Sequence, residues 1–225
     1  MIARLFIQTI VWLLVMGAVL FASAGTLAWP FAWFYLVEVG VLGLWLGVWL
    51  ARHDPALLAE RMSMFMQPAQ SRWDKLFMLC AGIGWFGWLV LIGIDGGRVH
   101  RLDMPLWLNV CGAAAVCVCI VATRSVFRAN SYAAPVVKIQ TERGHKVSDS
   151  GPYAFVRHPM YTAASLYLAG TPLMLGSWWG LACVPLMIGG LGYRAVLEER
   201  TLIDGLEGYA DYAARVRYRL VPHVW

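Results

Sequence analysis

Gly151-Pro152-Tyr153-Ala154-Phe155-Val156-Arg157-His158-Pro159-Met160-Tyr161 leads straight into an apolar tract that ends, after Leu197, on Glu198-Glu199. The tract is too long for one membrane crossing, since about 20 helical residues traverse about 30 Å of hydrocarbon. Small residues and tryptophans interrupt it at Gly176-Ser177-Trp178-Trp179-Gly180, where the chain can turn and indoles can sit at headgroup level. This pattern predicts a hairpin of two helices, the first opened by Pro159. A hairpin returns its last turn close to its first, so Glu198 and Glu199 are expected beside Arg157, His158 and Tyr161. Charged groups at membrane depth are costly unless they face a cavity or one another, so this cluster reads as a site.

Working outward, four further apolar stretches are long enough to span: about 5–24, 31–50, 76–94 and 105–123. With the hairpin they predict an all-α polytopic membrane protein of six transmembrane helices, closed by an amphipathic C-terminal helix. Composition agrees, at 60% hydrophobic and 14% charged with twelve tryptophans, more apolar surface than a soluble domain of this length can hide. The chain reads as a single membrane domain, 1–225, with four spans and their connectors in 1–128 and a polar-ended core in 129–225.

Lys and Arg collect on one side. Arg4 precedes the first span, Arg52, Arg61, Arg72 and Lys75 separate the second from the third, and Arg124, Arg128, Lys138, Arg143, Lys146 and Arg157 separate the fourth from the fifth. The other side holds Arg98 and Arg101 with Asp95 and Asp103. Positive residues favour the cytoplasmic side, so both termini and the polar cluster are expected to face the cytoplasm. The first span lacks a polar spacer and cleavage site behind it and reads as retained.

Several function classes drop out. The net charge of +5 is spread along membrane edges, where it meets lipid headgroups, and makes no basic face for nucleic acid. Cys80, Cys111, Cys117, Cys119 and Cys183 all fall in spans without a paired spacing and read as small packing residues, so no metal is expected. Phosphate loops, zinc-protease helices and nucleophile elbows are absent.

Most remaining polar residues lie in two connectors and the tail. Asp54-Pro55 caps a short helix through Met62 that lies on the membrane surface. Val136 to Gln140 alternates and suits an isolated strand or extended loop, with Gly144 free to take positive φ. Leu202, Leu206, Tyr209, Tyr212, Val216 and Leu220 give an apolar face to a tail helix interrupted near Gly208 and stopped by Pro222; Tyr212 is a candidate substrate contact.

In the cluster itself, Arg157 beside a helix N-terminus suits an anionic group, although an arginine snorkelling to headgroups fits equally. Arg194 and Glu198 are four apart and can pair along one helical face. Two carboxylates, a cation, an imidazole and a phenol in one pocket suit a zwitterionic or cationic ligand. Glu38, midway through the second span, is an isolated intramembrane carboxylate. It either lines a lipid-facing substrate tunnel or sits protonated against a neighbouring helix.

Gly151-x-Tyr153-x-x-x-Arg157-His158-Pro159-x-Tyr161, Glu198-Glu199-x-x-Leu202, Gly208-Tyr209-x-x-Tyr212 and the closing Arg-x-x-x-Pro resemble the C-terminal half of isoprenylcysteine carboxyl methyltransferases and related phospholipid methyltransferases. Asn130 and Gln140-x-x-Arg143-Gly144-His145 are similar to that family's bacterial branch, which implies a bacterial inner membrane. The resemblance covers about 130–222 and is weaker over 54–62. It implies a membrane enzyme that uses S-adenosyl-L-methionine, with His158, Tyr161 and Glu198 or Glu199 holding the cofactor and Tyr153 and Pro159 shaping its cavity. Its implied partners are membrane lipids and a lipophilic or prenylated acceptor. The resemblance favours a carboxylate acceptor, as on an isoprenylcysteine-like or isoprenoid substrate, which needs only a cation such as Arg157 or Arg194 to orient it. An amine acceptor needs a proton acceptor, for which Glu199 is the candidate. The chain departs from the pattern at Leu206-Glu207-Gly208-Tyr209, where several members carry Phe-Gly-x-x-Tyr, and this bears on the acceptor. A sterol-type reductase using a nicotinamide cofactor and a non-enzymatic transporter or scaffold are the competing readings.

Overall fold

The computed structural model describes residues 1–63, 67, 70–99 and 103–225. Its regular structure among these residues is entirely helical: α1 (Ile2–Ala24), α2 (Pro30–His53), α3 (Pro55–Arg61), α4 (Arg72–Ile92), α5 (Leu106–Ala129), α6 (Pro159–Leu175), α7 (Trp178–Ala182), α8 (Val184–Gly205) and α9 (Tyr209–Arg215). A π-helical segment, Gly93–Val99, prolongs α4.

Five helical stretches are long and apolar enough to cross a membrane: Ile2–Ala24, Pro30–His53, Arg72–Val99, Leu106–Ala129 and Trp178–Gly205. The predicted fifth span, α6, has 17 residues, roughly 26 Å of helix, and falls short. Its sequence sets both ends. Pro159 occupies its first turn, while Gly176 at φ 73° provides the left-handed C-terminal cap. The predicted fourth span is exceeded, because α5 continues past Thr123 to carry Arg124 and Arg128 in its last two turns.

α6 is the innermost element. Asn109 Nδ2 of α5 donates to the carbonyls of Leu173 and Met174, at 2.9 and 3.2 Å, in the last turn of α6, where the helix itself offers no i+4 donor. A Cβ at Gly112 would stand 2.3 Å from the Met174 nitrogen, so the α5 and α6 backbones meet at glycine. One core, with Met16, Leu20, Tyr35, Leu89, Ile92, Met174 and Leu175, ties α1, α2, α4 and α6 together. A second, with Leu50, Leu57, Phe127, Tyr153, Leu206, Tyr209 and Tyr212, lies at the end where α2, α5 and α8 finish.

The two ends differ as the charge pattern predicts. At the poorer end, Asp95 accepts from the Ser177 hydroxyl at 2.8 Å and the Trp179 N–H at 3.0 Å, tying the π segment to the α6–α7 turn. Arg101, assigned to this side, lies outside the described residues. At the richer end, α3 is capped as expected, with Asp54 Oδ1 accepting from the Leu57 N–H at 2.9 Å. The 130–158 connector folds over this end. Residues 137–140 form an extended loop and no strand, and Gly144 takes φ 62°. The tail helix divides in two, because α8 runs on to Gly205 before Gly208, at φ 81°, starts α9.

Candidate active site

Hairpin closure brings residues 157–161 and 198–199 together, and the two adjacent carboxylates then diverge. Glu199 is buried among cations. Arg157 Nε donates to its Oε1 at 2.6 Å and Arg157 Nη2 to its Oε2 at 3.3 Å, while Arg219 Nε donates to Oε2 at 2.9 Å. His158 Nε2 lies 3.1 Å from Oε1. A carboxylate held by two guanidiniums is an acceptor only, so Nε2 carries a proton toward it. Arg157 Nη1 also donates to the carbonyls of Ala213, Val216 and Arg217. Arg157 is therefore a buried clamp between α8 and the tail, and the snorkelling reading is set aside.

The tail completes the clamp. The Arg157 and His158 N–H groups donate to the carbonyls of Tyr218 and Arg219, both at 2.9 Å, and the Thr162 hydroxyl donates to the Leu220 carbonyl at 2.6 Å. Residues 218–220 thus cover the start of α6.

Glu198, a quarter exposed, faces the other way. Its Oε2 accepts from the Tyr161 hydroxyl at 2.5 Å and lies 3.9 Å from His158 Nδ1, and the rings of His158 and Tyr161 stack 5.3 Å apart. These groups line a cleft partly open to solvent. Tyr153, Tyr209 and Tyr212 form an aromatic wall, and Asn130, Lys138 and His145 come from the covering loop. Burial pushes the phenols of Tyr153, Tyr209 and Tyr212 up, so they remain neutral. Burial first, and the neighbouring Arg143 next, push the His145 imidazole below its usual 6.5.

Of the residues singled out from the sequence, Tyr153, Arg157, His158, Tyr161, Glu198 and Tyr212 border the cleft. Pro159 sits just behind it at the first turn of α6. The Tyr212 hydroxyl donates to the Tyr153 carbonyl at 2.9 Å, so Tyr212 presents its ring. Glu199 lies behind the wall.

Arg194 departs from expectation. It pairs with Asp74 of α4 and not with Glu198: Nε and Nη2 each lie 3.0 Å from Asp74 Oδ1, and Nη2 donates to the Pro135 carbonyl at 2.8 Å. Asp74, fully buried, also accepts from Gln70 Nε2 and from the Val137 N–H. The i, i+4 spacing permits a pair with Glu198, but a carboxylate from another helix offers more bonds in a drier place. Glu38 borders neither this cleft nor the apolar groove described next, and its Oε2 has no partner among the described residues.

Lys138 and Asp74 are residues that pattern reading missed, and His145 was picked out only as part of the family resemblance, with no role given. His145 reaches the cleft because its ring packs 4.4 Å from that of Tyr132, and Lys138 is anchored by Glu60 at 2.9 Å. The adjacent Gly144 was the available signal.

A second, apolar groove of about 1650 Å³ runs between α4, α6 and α8, lined by residues including Phe77, Trp85, Leu168, Leu186 and Met187. The Arg194 guanidinium lies 5.4 Å from the Phe77 ring, on the groove side, and 5.7 Å from the Tyr161 ring, on the cleft side.

No curated protein matches the chain. Residues 107–204 match the family model described as phospholipid methyltransferase, a stretch that runs from α5 to α8 and holds both halves of the Arg157–His158 and Glu198–Glu199 constellation. At the level of that family, the match supports a membrane methyltransferase that acts on lipid-type substrates.

Proposed function

We propose that the polar cleft binds S-adenosyl-L-methionine and that a lipid acceptor reaches it along the apolar groove, with both termini and the cleft on the cytoplasmic side. The observation that carries this reading is the single guanidinium, Arg194, packed against Phe77 of the groove and Tyr161 of the cleft. A water-exposed donor and a membrane-dissolved acceptor need two such compartments in contact. The residues present fit the cofactor. Glu198 keeps one oxygen without a partner among the described residues for its ammonium or sulfonium, and the tyrosine wall offers faces for its purine. When bound, it would supply an electrophilic methyl group. The chain's own contribution is to position the reactants and exclude water.

Acceptor chemistry follows from which groups are free. Arg157 and Arg194, the cations suited to orient a carboxylate, are both engaged by buried carboxylates. Glu199, the candidate base, is held by three partners. Glu198, the carboxylate that does border the cleft, favours a lipid amine over the carboxylate of an isoprenoid.

Purified protein in detergent tests both layers. S-adenosylhomocysteine is expected to raise the melting temperature and Glu198→Gln to remove the rise; stabilisation by NADPH alone would overturn the reading in favour of a reductase. After incubation of membranes with methyl-labelled cofactor, label in a lipid amine survives mild base. Base-labile label marks a methyl ester and restores the isoprenoid carboxylate.

A further inference from the structure

Asp74 comes from outside the matched stretch, in the first turn of α4, yet it is fully buried at the boundary between the cleft and the groove. Its Oδ1 meets Arg194 Nε and Nη2, both at 3.0 Å, and its Oδ2 accepts from Gln70 Nε2 at 2.7 Å and from the Val137 N–H at 2.9 Å. All of these partners donate, as a carboxylate requires. Among the described residues Arg194 has no other ion-pair partner, and no other side-chain hydrogen bond joins α4 to α8.

One side chain stands between this pair and the cleft. The Tyr161 ring has the Arg194 guanidinium 5.7 Å away and the His158 ring stacked at 5.3 Å, and its hydroxyl donates to Glu198. The Arg194 and Asp74 side chains are 9% and 0% exposed, so water and salt do little to screen them. A cation bound on Glu198 therefore feels both members of the pair: Arg194 repels it and Asp74 offsets the repulsion. At an effective dielectric of about 20, a unit charge acting over roughly 10 Å changes the binding of another by about tenfold. The two forms of the cofactor differ by one such charge. The methyl donor is a sulfonium, and the product left after transfer is a neutral thioether.

We infer that Asp74 is a positioning residue for the methyl donor: by fixing and offsetting the Arg194 guanidinium behind Tyr161, it lets the cleft hold a sulfonium and sets the preference for the donor over its spent product. The inference rests on the reading of the cleft as the cofactor site. With Arg194 in place and Asp74 discharged, the same cleft would favour the thioether and stall on its own product.

Purified protein in detergent, titrated calorimetrically with S-adenosyl-L-methionine and with S-adenosylhomocysteine, gives the ratio of two affinities in one preparation, and any loss of folded protein cancels from it. Asp74→Asn keeps an oxygen for Arg194 and removes the charge; it is expected to lower the preference for the sulfonium about tenfold. Arg194→Gln removes the cation, leaves Asp74 its Gln70 and Val137 donors, and is expected to raise that preference. Asp74→Leu with Arg194→Met removes both charges and should return the ratio to that of the unaltered protein. Sinefungin, which carries an ammonium where the donor carries its methylated sulfur, should follow the donor in all three. A contact that only ties helices together does not produce opposite shifts in two single variants that cancel in the double. Equal weakening of both ligands in Asp74→Asn, with the ratio unchanged, would overturn the inference and leave Asp74 a structural tie. A ratio that falls in Arg194→Gln would do the same, and this variant decides the matter if Asp74→Asn does not fold. Failure of the unaltered protein to bind either ligand would instead sink the reading of the cleft itself.

Discussion

Glu198 and Glu199 are neighbours in the chain, yet one belongs to a cavity and the other to a knot. Around Glu199, two arginines and a histidine converge, and Arg157 reaches on to the tail backbone. Around Glu198, a single phenol donates, the second oxygen is without a partner among the described residues, and the side chain is a quarter exposed. The 100° helical step between adjacent residues makes this division. In an uncharacterised pocket, the most heavily bonded charge is the one that holds the walls, and the under-bonded one beside it is available to a ligand.

The sharpest way to break the contrast is Glu199→Ala. It leaves Arg157 buried without its carboxylate and is expected to cost about 3–5 kcal/mol, read as loss of folded protein in detergent. A variant that folds normally and loses only ligand binding would reverse the assignment. Asp74 is a knot of the same kind, tying α4, the 135–137 loop and α8. Asp74→Leu alone should cost about 3 kcal/mol, and Asp74→Leu with Arg194→Met should recover much of it, because an apolar pair replaces a buried ion pair nearly neutrally. Failure of the pair to recover would give Arg194 a role beyond packing.

Glu198→Gln should act oppositely, keeping the lipid-free melting temperature and weakening S-adenosylhomocysteine about tenfold or more by isothermal titration. His145 gives a smaller effect with a defined sign. Its folded pKa lies below the ordinary 6.5, so on acidification the unfolded chain takes the proton first. The stability it contributes is present above that ordinary value and is lost as pH falls through the folded value. His145→Gln should therefore lessen the fall in melting temperature between about pH 7.5 and about pH 5. Smallest is Glu38→Gln, expected to change stability by under about 0.5 kcal/mol and cofactor affinity not at all; a loss of affinity would return Glu38 to the site.

Hydropathy and the turn at residues 176–180 made the helices legible, and hairpin geometry put Arg157, His158, Tyr161, Glu198 and Glu199 in one place. Which carboxylate faced inward was not legible, because it depends on a helix's rotation, set by every neighbour at once. Arg194 shows the limit most clearly. Local spacing offers Glu198, but its partner Asp74 is 120 residues away in the chain and reaches it only because the bundle sets the start of α4 opposite α8. Both ends of α6 were legible, Pro159 at its start and Gly176 at its stop, but not that the helix between them would be too short to span.

The apolar groove carries a thermodynamic signature of its own. Gly112 and Gly170 are small because another backbone touches them, but Gly84, Gly87 and Gly190 border the groove, and a Cβ at any of them would meet nothing within 4 Å. A helix-interior glycine costs about 1 kcal/mol relative to alanine, and no contact at these three positions requires it. Together they represent roughly 2–3 kcal/mol of helix stability left unused on the walls of one groove. Its width is held open by omission, one methyl group at a time, against the preference of the helices that form it.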